Sequence, residues 1–449
     1  MKIAIVGAGH VGLVTGACFA AVGHDAAALD IDAERIERLR HGESPFFEPG
    51  LDELLAATSA AGRLRFTTDP AEALAGAELA FLCVATPNDE RGKVDLRGVV
   101  SAARSVAHHA EPDTVLVNRS TAPVGTAGYL RSIVEESREG EVRVAVNPEF
   151  LAEGTAVRDF LFPDRIVIGA WDPEAGERVK GAYEPILSRA VSGDLPAGVE
   201  ARVYDTDSPV PVVITNTPTA ELIKYASNAF LAMKISFINE MGWIADEVGG
   251  DVTEVARAVG LDRRIGPHFL QAGIGWGGSC FPKDIVALQG MAATHGLEAR
   301  LLKAANDVNA DQHLWVVRKL QRHLKTLVGR RVALLGLAFK PNTDDLRNAP
   351  AIEIAAELTR SSVRVKAYDP IVKELPQELA GVVELADDPM SAASGAEALV
   401  LVTEWPQFRD LDLHALGSVM REKLFLDGRN FLDPEVVRAA GFTYVGVGR

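Results

Sequence analysis

A chain of 449 residues is too long for a single core, so two or three domains are expected. Its 47% hydrophobic and 24% charged residues describe a globular protein, and a net charge of −16 excludes a nonspecific nucleic-acid binder. Three cysteines, Cys18, Cys83 and Cys280, are too few for a disulfide framework and lack metal-site spacing, which points to a reducing cytoplasm and no metal; no apolar run reaches membrane-spanning length.

Residues 2–6 read as a short buried strand, and the glycines that follow explain the apolar run after Lys2 better than a signal peptide does. Gly7-Ala-Gly9-His10-Val11-Gly12 comes next, then an apolar helix at 13–22 and a second strand at 25–29 ending in Asp30. This is the βαβ dinucleotide fingerprint. Gly7 makes the tight turn, Gly9 lets a pyrophosphate approach the backbone and Gly12 lets helix and strand pack closely. Asp30 is placed to bond ribose hydroxyls and to repel a 2′-phosphate, which favours NAD.

Apolar strands at 80–84, 114–118 and 142–146 follow in α/β order, running into Thr86, Thr121 and Glu149 respectively. Ligands of doubly wound sheets bind beyond the carboxyl ends of such strands. Cys18, inside the first helix, and Cys83, inside a strand, read as packing residues. The polar stretch 147–165 reads as a loop, with ligand contact and plain solvation both open. Residues 171–218, rich in Pro and Gly, read as loops.

From 219 to 248 apolar residues recur at helical spacing without a proline, giving a helix long enough to support a dimer interface. Lys224 and Asn228 lie one turn apart on it; the lysine either snorkels to solvent or serves a site. Gly277-Gly-Ser-Cys-Phe-Pro-Lys-Asp284 then puts Cys280 at a helix start, with Pro282 suited to the first turn. The helix dipole favours a thiolate there, Lys283 adds positive charge, and Asp284 shares the cysteine's face. That arrangement suits an activated nucleophile, against the alternative of a buried structural cysteine.

After a helix at about 303–327, strands at 331–336, 363–368, 398–402 and 424–426 repeat the α/β order without GxGxxG. Asp369 echoes Asp30. Lys340, Arg347 and Arg429 follow strands and are either phosphate contacts or surface charges. The fold class is therefore α/β, with two Rossmann-like doubly wound sheets joined by a long central helix. The domains are 1–200 for NAD, 201–325 as a central helical dimerisation region with the cysteine loop, and 326–449 as a second Rossmann-like domain.

Seven segments together resemble one family, the UDP-glucose/GDP-mannose dehydrogenases: GAGHVG, STAPVGT (120–126), NPEFLAEG (147–154), ELIKYASNAF, KISFINE, GGSCFPKD and GLAFKPNTDDLR. They cover nearly the whole chain in order, and the chain looks most like the members that act on UDP-glucose. The resemblance implies a four-electron oxidation of a sugar C6 alcohol by two NAD⁺, through a thiohemiacetal and a thioester on Cys280. It implies proton handling and oxyanion stabilisation by Asp284, Lys224 and Asn228, and water activation by Glu149 and Thr121. Cofactor contacts carried over are Asp30, Thr86, Thr121, Glu153, Lys283 and Arg347, beside Gly7, Gly9, Val11 and Gly12. Substrate contacts carried over are Phe150, Leu151, Lys224, Asn228, Arg264, Phe269, Gly273, Lys340 and Arg429. The last domain would bind the UDP-sugar, and Arg264 would act from the other subunit of a homodimer. His10 departs from a common tyrosine, Trp276 from another aromatic and Met233 from a frequent threonine, while the segment 188–210 is longer than usual.

Other readings remain. GDP-mannose or a UDP-N-acetylhexosamine would suit the same chemistry. A two-electron β-hydroxyacid dehydrogenase would use a lysine and need no cysteine, and a non-catalytic NAD-sensing scaffold would need neither.

Overall fold

A computed structural model describes residues 1–449 apart from 90–91, 138–142, 190–194 and 204–207. The described residues pack as two compact units, Met1–Ala226 and Ser227–Arg449.

The first unit is built on a sheet of eight strands: β1 (Lys2–Val6), β2 (Asp25–Leu29), β3 (Leu64–Thr67), β4 (Leu79–Leu82), β5 (Val115–Asn118), β6 (Val144–Val146), β7 (Ile166–Ala170) and β8 (Val212–Thr215). Their spatial order is β3-β2-β1-β4-β5-β6-β7-β8. All pairings are parallel except β6 with β7. Parallel strands are covered on both faces and so read as unbroken apolar runs. In β1, Ile3 and Ile5 enter one apolar cluster, with Leu13 and Phe19, while Ala4 and Val6 enter another, with Leu82 and Leu116. The order reverses between β1 and β4, where open sheets form their ligand crevice.

The second unit repeats the plan with β9 (Arg331–Leu335), β10 (Arg364–Tyr368), β11 (Val383–Leu385), β12 (Ala398–Leu401), β13 (Leu424–Asp427) and β14 (Thr443–Gly446). Their order is β11-β10-β9-β12-β13-β14, all parallel. At its turn, Asp369 accepts from the Leu337 and Ala338 N–H groups, as Asp30 does from Ala8 in the first sheet. The echo between the two aspartates is thus one of geometry as well as position.

Three expectations need correction. The stretch 171–218 contains a helix, Pro173–Leu187, and the strand β8. Asp172 caps that helix through the Glu174 N–H and Pro173 occupies its first turn, so the residues that read as breakers begin a helix. Within 188–210, residues 190–194 and 204–207 lie outside the described residues, as does Val142 of the 142–146 strand. The loop 147–165 is interrupted by the helix Ala156–Leu161. Cys83 lies one residue beyond β4 rather than inside it.

The predicted long helix spans Thr217–Val248, and the cysteine loop leads into the helix Phe281–Thr294. A further helix, Arg300–Leu324, precedes β9.

Candidate active site

In the first unit, the glycine loop is shaped by contacts that only glycine permits. Gly7 sits at φ +104°, where a Cβ would stand 2.9 Å from the Cys83 carbonyl oxygen. A Cβ on Gly12 would lie 1.8 Å from the Gly7 carbonyl oxygen. Gly9 precedes the helix His10–Ala21 without a side-chain cap, and a Cβ there would meet nothing within 4 Å. The helix start is therefore open on one side, with backbone N–H groups able to receive a pyrophosphate, which fits the dinucleotide. Asp30 is buried and braces the loop: its Oδ2 accepts from the Ala8 N–H at 2.7 Å and from Arg35 at 3.1 Å. Val11 is half-buried and packs against the core.

The segments after β4 and β5 are bonded to each other beside this loop's Cys83 contact. The Thr86 hydroxyl donates to the Thr121 carbonyl at 2.7 Å, and Ser120 donates to the Val84 carbonyl at 2.7 Å. Lys224 is buried and donates to Glu149 at 2.7 Å, so it does not snorkel. Burial alone would raise the Glu149 pKa. The Lys224 charge and hydrogen bond, the Arg119 charge and the Leu151 N–H outweigh it and hold the carboxyl below its ordinary value. Phe150 lies under the Arg165 guanidinium, 3.8 Å from the ring centroid, and Leu151 packs on the core. Glu153 is half-buried in the same segment.

Several residues of this unit were not singled out as site residues in the sequence. Arg119 is buried and donates to Thr15, Asn147 and Tyr183. Glu48 accepts from the Gly154 and Ala156 N–H groups and bonds His10, tying the glycine loop to the 147–154 segment. Glu221 accepts from the Gly125 and Ala127 N–H groups. These partners lie tens of residues apart in the chain, so no local pattern records them. Burial pushes the thiols of Cys18 and Cys83 up, the latter to about 12, as suits packing residues.

In the second unit, Cys280 is the N-cap of the Phe281–Thr294 helix and is half-buried, with the Ser279 hydroxyl 3.6 Å from its sulfur. Asp284, one turn on, is buried; its N–H donates to the Cys280 carbonyl. Asn228 donates to Asp284 Oδ2 at 2.6 Å, and Lys283 bonds Oδ1. The glycine turn before the cysteine is wedged in place. A Cβ on Gly277 would lie 2.1 Å from the Asn348 carbonyl, and one on Gly278, at φ +82°, 2.7 Å from the Phe339 ring.

Arg429 donates to the Val402 and Gly275 carbonyls, and Gly273 donates to Asn239, so both belong to the frame of the glycine segment. Asn309 fixes Trp276 by accepting its N–H at 2.8 Å. Lys340 lies over Phe339. Arg347 and Arg264 are exposed beside Asp345 and Asp262 respectively, and Phe269 sits at φ +64°. The structure thus groups Cys280, Lys283, Asp284 and Asn228, and separately Gly273 with Arg429, while Arg264 is bonded to Asp262. Among the described residues, no group of three or more metal-ligating side chains is gathered and no helix is long and apolar enough to cross a membrane.

A largely parallel sheet with this strand order, a glycine loop opening on a helix start and an acid closing the second strand define a dinucleotide-binding protein. Residues 1–187 match the NAD binding domain of the UDP-glucose/GDP-mannose dehydrogenase family, 218–311 its central domain and 333–434 its UDP binding domain. The chain is 44% identical to the UDP-glucose 6-dehydrogenase of Rhizobium meliloti, with both chains covered in full, and 42% identical to that of Pseudomonas aeruginosa, covering 100% of this chain and 98% of the relative. A solved structure of a UDP-glucose dehydrogenase from Pyrobaculum islandicum superposes with a TM-score of 0.88 at 38% identity, covering 100% of this chain and 97% of that one. The chain belongs to the UDP-glucose/GDP-mannose dehydrogenase family. It is an NAD-dependent dehydrogenase with NAD as its cofactor.

Proposed function

We propose that the protein oxidises UDP-glucose to UDP-glucuronate, a four-electron conversion using two NAD⁺ and one water. The observation that carries this reading is Cys280 at a helix start, one turn ahead of the buried Asp284–Asn228 pair. The names of the full-length relatives support the substrate. The three-part division at 1–200, 201–325 and 326–449 is supported by the three family models.

Bound NAD⁺ supplies the hydride acceptor for both oxidations. Gly7, Gly9, Val11, Gly12, Asp30, Thr86, Thr121, Glu153, Lys283 and Arg347 hold it. Phe150, Leu151, Gly273, Phe269, Lys340 and Arg429 hold the nucleotide sugar, joined by Arg264 of a second subunit. Asp284 takes the C6 hydroxyl proton in the first oxidation, and the N–H donors Lys224 and Asn228 stabilise the developing oxyanion. Cys280 Sγ then bonds the aldehyde carbon to give a thiohemiacetal. After the second oxidation the sugar remains as a thioester. Water oriented by Glu149 and Thr121 adds to the acyl carbon, the C–S bond breaks, and carboxylate and free thiol are released.

A homodimer is supported by the long helix, whose Phe230, Phe237, Ile244 and Val248 are exposed at helical spacing. Three free cysteines, one of them the nucleophile, support a reducing cytoplasm.

The test is NADH formed per sugar consumed, run to completion. Two equivalents from UDP-glucose support the full reading. One equivalent overturns the thioester route. Turnover of GDP-mannose or a UDP-N-acetylhexosamine alone keeps the chemistry and moves the substrate.

A further inference from the structure

We propose that Glu221 is a positioning residue for the cofactor: its carboxylate anchors the loop 120–126 through the Gly125 and Ala127 N–H groups, and NAD⁺ affinity depends on both anchors. The inference rests on the reading of this unit as the NAD domain. Glu221 is buried. Its two oxygens are divided, with Oε2 accepting from Gly125 at 2.6 Å and Oε1 from Ala127 at 2.8 Å. The carboxylate thus caps the helix Thr126–Ser137 from nearly one hundred residues away.

The chain has a simpler capping device and uses it repeatedly. Asp32, Asp69, Asp172, Asp251, Asp388, Asp412 and Asp433 each cap the helix that they precede. At the 126–137 helix a distant, desolvated carboxylate does this work instead. Its position gives the reason. Glu221 stands three residues before Lys224 on the long helix, so the two share a face. Together they line a small recess with Ser120, Thr121, Ala122, Val146 and Pro148. One turn of one helix therefore holds the loop after β5 by Glu221 and the segment after β6 by the Lys224–Glu149 bond. The first of these carries Thr121, whose carbonyl holds Thr86.

Burial raises the Glu221 pKa to about 7, against the two N–H groups that lower it. The ionisable side chain that lines the recess with it is Lys224, itself bonded to Glu149. From the loop and the 126–137 helix it meets the two N–H groups, and across the recess lie the hydroxyl-bearing Ser120 and Thr121. Protonation converts one carboxylate oxygen to a hydroxyl and weakens one anchor, so NAD⁺ binding should tighten as the pH rises through about 7. Stability runs the other way. A carboxyl raised from 4.5 to about 7 stabilises the fold fully below 4.5, and that contribution is lost as the pH rises to about 7. Opposite signs separate a positioning role from a purely structural one.

The experiment is calorimetric NAD⁺ binding at pH 6, 7 and 8 to the full chain, wild type beside Glu221→Gln and Glu221→Asp, with thermal melts at each pH. Glu221→Gln, which keeps the shape and one acceptor, should weaken NAD⁺ binding about tenfold at pH 8 and flatten both its pH dependence and the fall in stability between pH 6 and pH 8. Glu221→Asp, ionised but one methylene shorter, should also weaken binding. If Glu221→Gln binds NAD⁺ as wild type does, with the same pH dependence, the proposal is overturned. Binding is read without any sugar, so a wrong substrate assignment leaves this result standing. Wild type that binds no NAD⁺ refutes both.

Discussion

Lys224 donates to Glu149 across 2.7 Å, and both side chains are 5% exposed. A buried carboxylate without its cation is among the more destabilising arrangements in a fold, on the order of 3–5 kcal/mol. Lys224→Met should therefore lower unfolding free energy by about that amount at neutral pH. Adding Glu149→Gln should restore most of it, while turnover stays absent in both. A double variant as unstable as the single would show that the pair is not coupled. The pH dependence has a fixed sign. Glu149 is held below its ordinary 4.5, so the stability it contributes is present above that value and fades as the pH falls through the folded pKa. Glu149→Gln should remove this part of the acid sensitivity in a pH series of denaturation curves.

Cys280→Ala tests the covalent step. Without the sulfur no thiohemiacetal forms, and oxidation should stop at the aldehyde, with at most one NADH per sugar and an aldehyde that hydroxylamine traps. Cys280 is only half-buried at a helix start, so the melt should hardly move. Two NADH per sugar from the alanine variant would reduce the cysteine to a structural residue.

The glycine loop offers a paired test. A Cβ on Gly12 collides with the Gly7 carbonyl at 1.8 Å, whereas a Cβ on Gly9 meets no atom of the chain within 4 Å. Gly12→Ala should thus lower both stability and NAD⁺ affinity. Gly9→Ala should leave the melt within a degree or so and still weaken NAD⁺ binding about tenfold or more, because the pyrophosphate needs that space. Unchanged binding in Gly9→Ala would remove the cofactor from this side of the loop.

Much of this was legible beforehand because parallel strands buried on both faces leave apolar runs, and because the glycine loop and GGSCFPKD carry their geometry in a few consecutive residues. The helix within 171–218 is hidden because the prolines and glycines of that stretch read as loop. Asp172-Pro173 is an N-cap followed by a first-turn proline, a pairing repeated at Asp69-Pro70, Asp388-Pro389 and Asp433-Pro434. That repetition could have revealed the helix. The contacts of Arg119, Glu48 and Glu221 are hidden for another reason, although Glu221 itself opens ELIKYASNAF. Each is a single charged residue whose partners are brought to it by the crossover connections, and periodicity says nothing of such contacts.

Asp284, one turn after the nucleophile, and Asn228 are buried together, 2.6 Å apart. An Asp284→Asn variant preserves shape but can neither take up a proton nor carry charge, so it should reduce kcat about 100-fold or more, with little change in the melt. Asn228→Ala removes a neutral donor and should cost less. In the double variant the losses should fall short of additivity by about 1–3 kcal/mol, because the hydrogen bond can be broken only once. Full additivity would mean that Asn228 acts on the sugar independently of Asp284. A fall in stability matching the fall in rate would mean that the pair serves the fold and that proton transfer belongs elsewhere.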